Sequence, residues 1–248
     1  MPSAKELLTL AEAFDNYIAR CKESSSNSIA RSSCSYSPYF LAENDVHRLT
    51  ALVSNIDLLR DTDTIILHSS AENGYPHTRA KAVVCLPAGF VSGSTDKDLR
   101  ETLCHEAMHI HQRKYPKLWK EMCIAEGWTP LSIDSIPLRF RERCRLNPDT
   151  FYDTPYWAWN KYSVPLPMFT RDINITLADV NIEWFDLRTG ALFHRPPESF
   201  TQKYGNPSQP EHPFEIYAVI FSKQGISSEA HLFNILYEYI QPYDKKGE

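Results

Sequence analysis

Residues 95–115 read Thr-Asp-Lys-Asp-Leu-Arg-Glu-Thr-Leu-Cys-His-Glu-Ala-Met-His-Ile-His-Gln-Arg-Lys-Tyr. At their centre, Cys104-His105-Glu106-Ala107-Met108-His109 is an H-E-x-x-H pattern. The periodicity around it is helical: Leu99, Leu103, Ala107 and Ile110 recur at three- and four-residue spacing and predict one apolar stripe. On such a helix His105 and His109 stand one turn apart, with both imidazoles on one face. Two imidazole nitrogens are the beginning of a tetrahedral zinc site. Glu106, beside the first histidine, is placed to take a proton from a water at the metal without itself being a ligand.

The setting supports a working site. Ala82-Val83-Val84-Cys85-Leu86 is a short apolar run that predicts a strand before the helix. Thr95 and Asp98 have the spacing of a capping box, and the acids of the first turn complement the helix dipole. Pro116 closes the helix and can open another over residues 117–126, which Gly127 ends.

The chain has 248 residues, enough for one large domain or two small ones. Apolar residues at 42% and charged residues at 23% are ordinary for a folded domain, and 12% aromatics argue against disorder over most of the length. A net charge of -5 without any basic cluster argues against a nucleic-acid partner, and none is expected. No run has the length or apolarity of a membrane span or a signal peptide, so no membrane partner is expected. The six cysteines show no C-x-x-C spacing, and several sit in apolar patterns, as reduced cysteines of a cytoplasmic protein do.

Outward from the motif, residues 7–21 and 45–59 carry helical apolar patterns, and the serine-rich residues 23–36 between them read as a loop. Residues 64–68 predict a strand and residues 73–76 a turn. From residue 147 to 195 aromatics and prolines are dense, helical periodicity disappears, and residues 181–187 and 191–194 flank Arg188-Thr189-Gly190 as a hairpin. Helix returns over residues 213–223, and Ser227 or Ser228 caps a last one. The expectation is a single α+β domain over residues 1–248. Residues 1–60 form its N-terminal helical part and residues 61–248 its metal-site core, a small mixed sheet packed on the H-E-x-x-H helix.

Catalytic zinc needs a third protein ligand. The run Glu211-His212-Pro213-Phe214-Glu215-Ile216-Tyr217-Ala218-Val219-Ile220-Phe221 places a glutamate early in a helix, with Ala218 and Phe221 on nearly the same face. This resembles the gluzincin branch of the zincin metallopeptidases, where a second helix carries a glutamate to the metal. The P-x-E-x-x-A-x-x-F run is also similar to the third-ligand helix of anthrax lethal factor-like proteins. The resemblance spans the motif helix, its preceding strand and this later helix. It implies a zincin-like fold with one zinc per chain, His105, His109 and Glu215 as ligands, and Glu106 as general base. Glu126, seventeen residues after His109, and Glu211 and His212, beside prolines, compete with Glu215 for the third position. His111 is turned away from the ligand face and suits a supporting role; His77 and the remaining histidines have no ligand spacing.

The activity expected is cleavage of a peptide or protein amide by zinc-activated water, with a zinc hydrolase of small amides or esters, or a silent binding module, as alternatives. Tyr204 and Tyr217 are candidates to stabilise the oxyanion. The strand over residues 82–86 either pairs with an extended substrate or is internal. Trp157-Ala158-Trp159 is expected to fill the core rather than wall the substrate site.

Overall fold

A computed structural model describes residues 2–151 and 154–240. Four helices lead the chain: α1 (Ala4–Asp15), α2 (Tyr17–Glu23), α3 (Ser25–Ala30) and α4 (Glu43–Ser54). Strands β1 (Asp63–Leu67), β2 (His77–Arg79) and β3 (Val83–Pro87) follow, then α5 (Ala88–Gly93), the motif helix α6 (Asp96–Lys114) and α7 (Pro116–Ala125). The remainder runs β4 (Trp128–Leu131), α8 (Leu138–Arg141), β5 (Tyr156–Trp159), β6 (Ser163–Phe169), β7 (Val180–Asp186), β8 (Leu192–Phe193), α9 (Glu198–Tyr204), α10 (Pro213–Lys223) and α11 (Glu229–Ile240). The fold is mixed α+β with two sheets.

The first sheet has the order β1-β3-β2, with β3 parallel to β1 and antiparallel to β2. The apolar strand before the motif is therefore internal: Val83, Val84, Cys85 and Leu86 are all fully buried. The edge beside the motif helix is β2, three residues with no strand-like composition. The second sheet is an antiparallel meander, β4-β5-β6-β7-β8, built from the aromatic stretch. Trp157 and Trp159 fill the core, their indole N–H groups spent on the Thr154 carbonyl and the Ser199 hydroxyl.

Helix α6 begins where the sequence places it. The Thr95 hydroxyl accepts from the Asp98 N–H at 3.2 Å, satisfying a donor that the first turn leaves open. Leu99, Leu103, Cys104, Ala107 and Ile110 pack with Val84, Leu86 and Val91, while Met108 joins Trp119, Phe214 and Ala218 on another face. A helix buried on two sides holds its polar groups rigidly, which a metal site requires.

Three local readings change: residues 45–59 do not form one helix, since α4 ends at Ser54 and Asp57–Leu59 is a separate 3-10 turn. Residues 7–21 are not one helix, because Asn16 adopts the left-handed conformation (φ 53°) between α1 and α2. Glu12 accepts the Ile18 and Ala19 N–H groups, and Asp15 binds Arg79, so side chains stabilise the break. The serine-rich stretch is not simply a loop either. Ser24 caps α3, and Arg31 just beyond it is buried against Glu72, Tyr17 and the Leu146 carbonyl. All six cysteines are unpaired. Among the described residues no helix is long and apolar enough to cross a membrane.

Candidate metal centre

Helices α6 and α10 bring three side chains to one point. His105 and His109 project from successive turns of α6, their Nε2 atoms 3.0 Å apart and their rings at 75°. Glu215 lies in the first turn of α10, where the helix dipole favours a carboxylate. Its Oε2 is 3.3 Å from His105 Nε2 and 3.4 Å from His109 Nε2. An ion bound at about 2.0–2.1 Å in tetrahedral geometry separates its ligand atoms by about 3.3–3.4 Å. The group is thus sized to hold a metal ion.

Hydrogen bonding around the three atoms supports that fit. Glu215 Oε1 accepts from Asn147 Nδ2 at 2.7 Å, whereas Oε2 is buried with no hydrogen-bond partner. Gln112 donates its Nε2 to the Phe214 carbonyl at 3.0 Å, so its Oε1 is the acceptor for His109 Nδ1 at 2.8 Å. That bond places the proton on Nδ1 and turns the Nε2 lone pair to the centre, the usual way in which an outer partner orients a ligating histidine. Gln112 also ties the motif helix to the start of α10.

The electrostatics show a centre that demands positive charge. Burial alone would disfavour the imidazolium of His109, but the Glu215 carboxylate and, behind it, Asp149 outweigh burial and raise its pKa to about 10. Burial would likewise push Glu215 up, yet His109 and His105 hold it well below the usual carboxylate range. A proton or a metal cation can meet that demand, and the two compete for the same lone pairs. Glu106 is raised well above an ordinary glutamate, first by burial and then by the charge of Asp149. Its Oε2 is buried and unpartnered.

The centre opens onto a cleft of about 630 Å³ lined by His105, Glu106, His77, Arg145, Asp149 and Glu211 among others. His109 and Glu215 are sealed at 0% and 1% side-chain exposure, while His105 at 14% faces the opening. A reactant therefore reaches the centre past His105 and Glu106.

The competing ligands are occupied elsewhere. His212 is the cap of α10: Nδ1 accepts from the Phe214 N–H at 3.1 Å and Nε2 is 2.9 Å from the Thr154 carbonyl. Glu211 Oε1 accepts from Arg145 Nη2 at 2.7 Å. Glu126 is bound by Lys203 at 2.6 Å and by the Tyr217 hydroxyl at 3.1 Å. Tyr204 and Tyr217 bond one another at 3.0 Å in that same chain of contacts, and neither lines the cleft. His111 accepts the Trp119 indole N–H at 2.9 Å and supports the packing behind the motif.

Residues 145–149, Arg-Leu-Asn-Pro-Asp, contribute most of what sequence reading missed. Alternate side chains of this one segment bind three parts of the site: Arg145 to Glu211, Asn147 to Glu215, and Asp149 to the N–H of Thr78 on β2 at 2.7 Å. The alternation of polar residues around Leu146 and Pro148 was the available signal. No protein-family model matches the chain, and neither a curated protein nor a solved structure does.

Proposed function

We propose that this chain is a zinc-dependent hydrolase, a metallopeptidase of the gluzincin kind, with His105, His109 and Glu215 as ligands and Glu106 as general base. The observation that carries the reading is the Glu215 Oε2 atom, buried, without a hydrogen-bond donor, and 3.3–3.4 Å from two imidazole Nε2 atoms beside a cleft. Two imidazoles and one carboxylate suit zinc better than calcium or magnesium, which take oxygen ligands. The mixed sheet with its antiparallel edge strand beside α6 fits a zincin-like arrangement, and six unpaired cysteines suit a reducing cytoplasm.

When bound, zinc would supply Lewis acidity toward a water and an amide carbonyl, and its charge would favour the ionised form of the neighbouring Glu106. Glu106 then accepts the proton of the attacking water and delivers it to the leaving nitrogen. Its unpartnered Oε2 is free for that transfer, and the buried helix fixes its position. Asn147 and Gln112 hold Glu215 and His109 in place throughout. Arg145 is the cationic side chain of the cleft nearest in sequence to these supports, and Glu211 fixes its guanidinium.

The test is hydrolysis of a mixed library of short peptides by the zinc-loaded protein. Glu106→Gln should keep the metal and lose about 100- to 10,000-fold in rate. Equal turnover by wild type and Glu106→Gln would reject Glu106 as the base, and no turnover by a zinc-loaded wild type would reject the hydrolase reading.

A further inference from the structure

An edge strand takes an extended peptide by pairing its outward N–H and C=O groups with the peptide backbone. In β2 these groups are already used. Thr78 holds the position of the antiparallel ladder that faces away from β3. Its N–H donates to Asp149 Oδ1 at 2.7 Å, and its carbonyl accepts from Arg113 Nη2 at 3.2 Å. On one side Pro76 has no N–H to offer; on the other, the Ala80 N–H donates to Asp15 Oδ2 at 3.1 Å. Asp149 is 6% exposed, so a peptide that displaced it would leave a buried carboxylate without its donors.

The cleft beside this sealed edge has another character. Its volume of about 630 Å³ lies within the range of small-molecule sites, about 300–1,000 Å³. Carboxylates outnumber cationic side chains around it, where Arg145 and Lys223 face Asp98, Glu101, Glu106 and Glu211. His77, on β2, is 1% exposed and also lines the cleft. Its Nδ1 is 3.3 Å from the Tyr75 carbonyl, an acceptor, so the proton sits on Nδ1 and Nε2 carries a lone pair. That Nε2 is buried and has no partner. An unmet acceptor among carboxylates calls for a donor with positive charge.

Building on the hydrolase reading, we propose that the cleft takes short, amine-bearing peptides or amides, held by side chains, and does not add an extended polypeptide as a strand of the sheet. His77 accepts a hydrogen bond from the substrate ammonium or an adjacent N–H. The cleft volume suits short substrates, and the sealed edge removes the strand pairing that would hold a longer one.

Binding to zinc-loaded Glu106→Gln, in which turnover is suppressed, tests this by calorimetry. The probes are trialanine, N-acetyltrialanine and an N-acetylated twelve-residue alanine–glutamine peptide. Trialanine should bind at least tenfold more tightly than either acetylated probe, and His77→Leu should abolish most of that preference. Tighter binding of the twelve-residue peptide, indifference to acetylation, or no binding of any probe would overturn the proposal. A preference unchanged in His77→Leu would overturn the assignment of His77. Failure of the hydrolase reading has a separate signature: zinc-loaded wild type would bind trialanine in this order of preference and leave it uncleaved.

Discussion

Glu72 and Glu215 are both buried carboxylates, and the chain treats them in opposite ways. Glu72 Oε1 accepts from Tyr17 at 2.8 Å, from Arg31 Nε at 3.1 Å and from the Tyr36 hydroxyl, so the chain supplies both the counter-charge and the donors. Glu215 receives a neutral amide on Oε1 and nothing on Oε2, although two imidazoles stand 3.3–3.4 Å away. The first centre is complete within the polypeptide. The second leaves Glu215 Oε2 without a donor, and in the function proposed here a bound cation completes it. On that reading the contrast separates a structural charge cluster from the proposed metal centre.

The Glu72 centre has a structural task. Glu72 and Asn73 are both left-handed, at φ 44° and 57°, a conformation that such residues keep where the surroundings over-determine it. Arg31, at the end of α3, provides that restraint and fixes the turn leading into Tyr75, Pro76 and His77 at the cleft. The N-terminal helices thereby set one wall of the site.

The largest effect that would sharpen the comparison is on stability. Arg31→Met leaves the Glu72 carboxylate buried without its cation and should cost about 3–5 kcal/mol in denaturant unfolding. The double variant Arg31→Met with Glu72→Gln should recover part of this loss. A single variant within 1 kcal/mol of wild type, or a double variant less stable than the single, would show that Arg31 is not the counter-charge.

A smaller effect concerns the proposed cation. Asn147→Ala removes the bond to Glu215 Oε1 and should weaken zinc binding by about 10- to 100-fold in a competitive chelator titration, with the fold retained by circular dichroism. Unchanged affinity would mean that Glu215 is positioned by packing alone.

A further difference separates the centres by pH. In metal-free protein the folded-state pKa of His109 is raised to about 10 from an ordinary 6.5. Its stabilising contribution is therefore complete below 6.5 and fades as pH rises toward 10. Arg31 and His77 hold Glu72 below its ordinary 4.5 although burial opposes them, so its contribution is complete above 4.5 and fades below it. Thermal unfolding of chelator-treated protein should weaken at both ends, and zinc should rescue the alkaline end alone. Equal rescue at both ends would contradict the distinction between the centres.

What was legible in the sequence was local. The cap at Thr95, the stripe from Leu99 to Ile110 and the helix after Pro213 are each written in residues a few positions apart, and they position His105, His109 and Glu215. What was not legible depends on distant partners. Strand β2 has little strand propensity of its own; β3 on one side and Asp149 with Arg113 on the other hold it extended. Asn147 reaches Glu215 across 68 positions: the polar alternation of residues 145–149 marks the segment but not the partners it binds. The break at Asn16 was hidden because apolar spacing continues through it, while the side chains of Glu12 and Asp15 stabilise the turn.

The most direct measurement is metal content per chain, by elemental analysis, on wild type and Glu215→Ala purified in parallel. The expected result is close to one zinc per chain in wild type and little or none in a folded Glu215→Ala. Zinc retained in full by Glu215→Ala, or a folded wild type that neither carries nor takes up metal, would contradict a centre built from His105, His109 and Glu215.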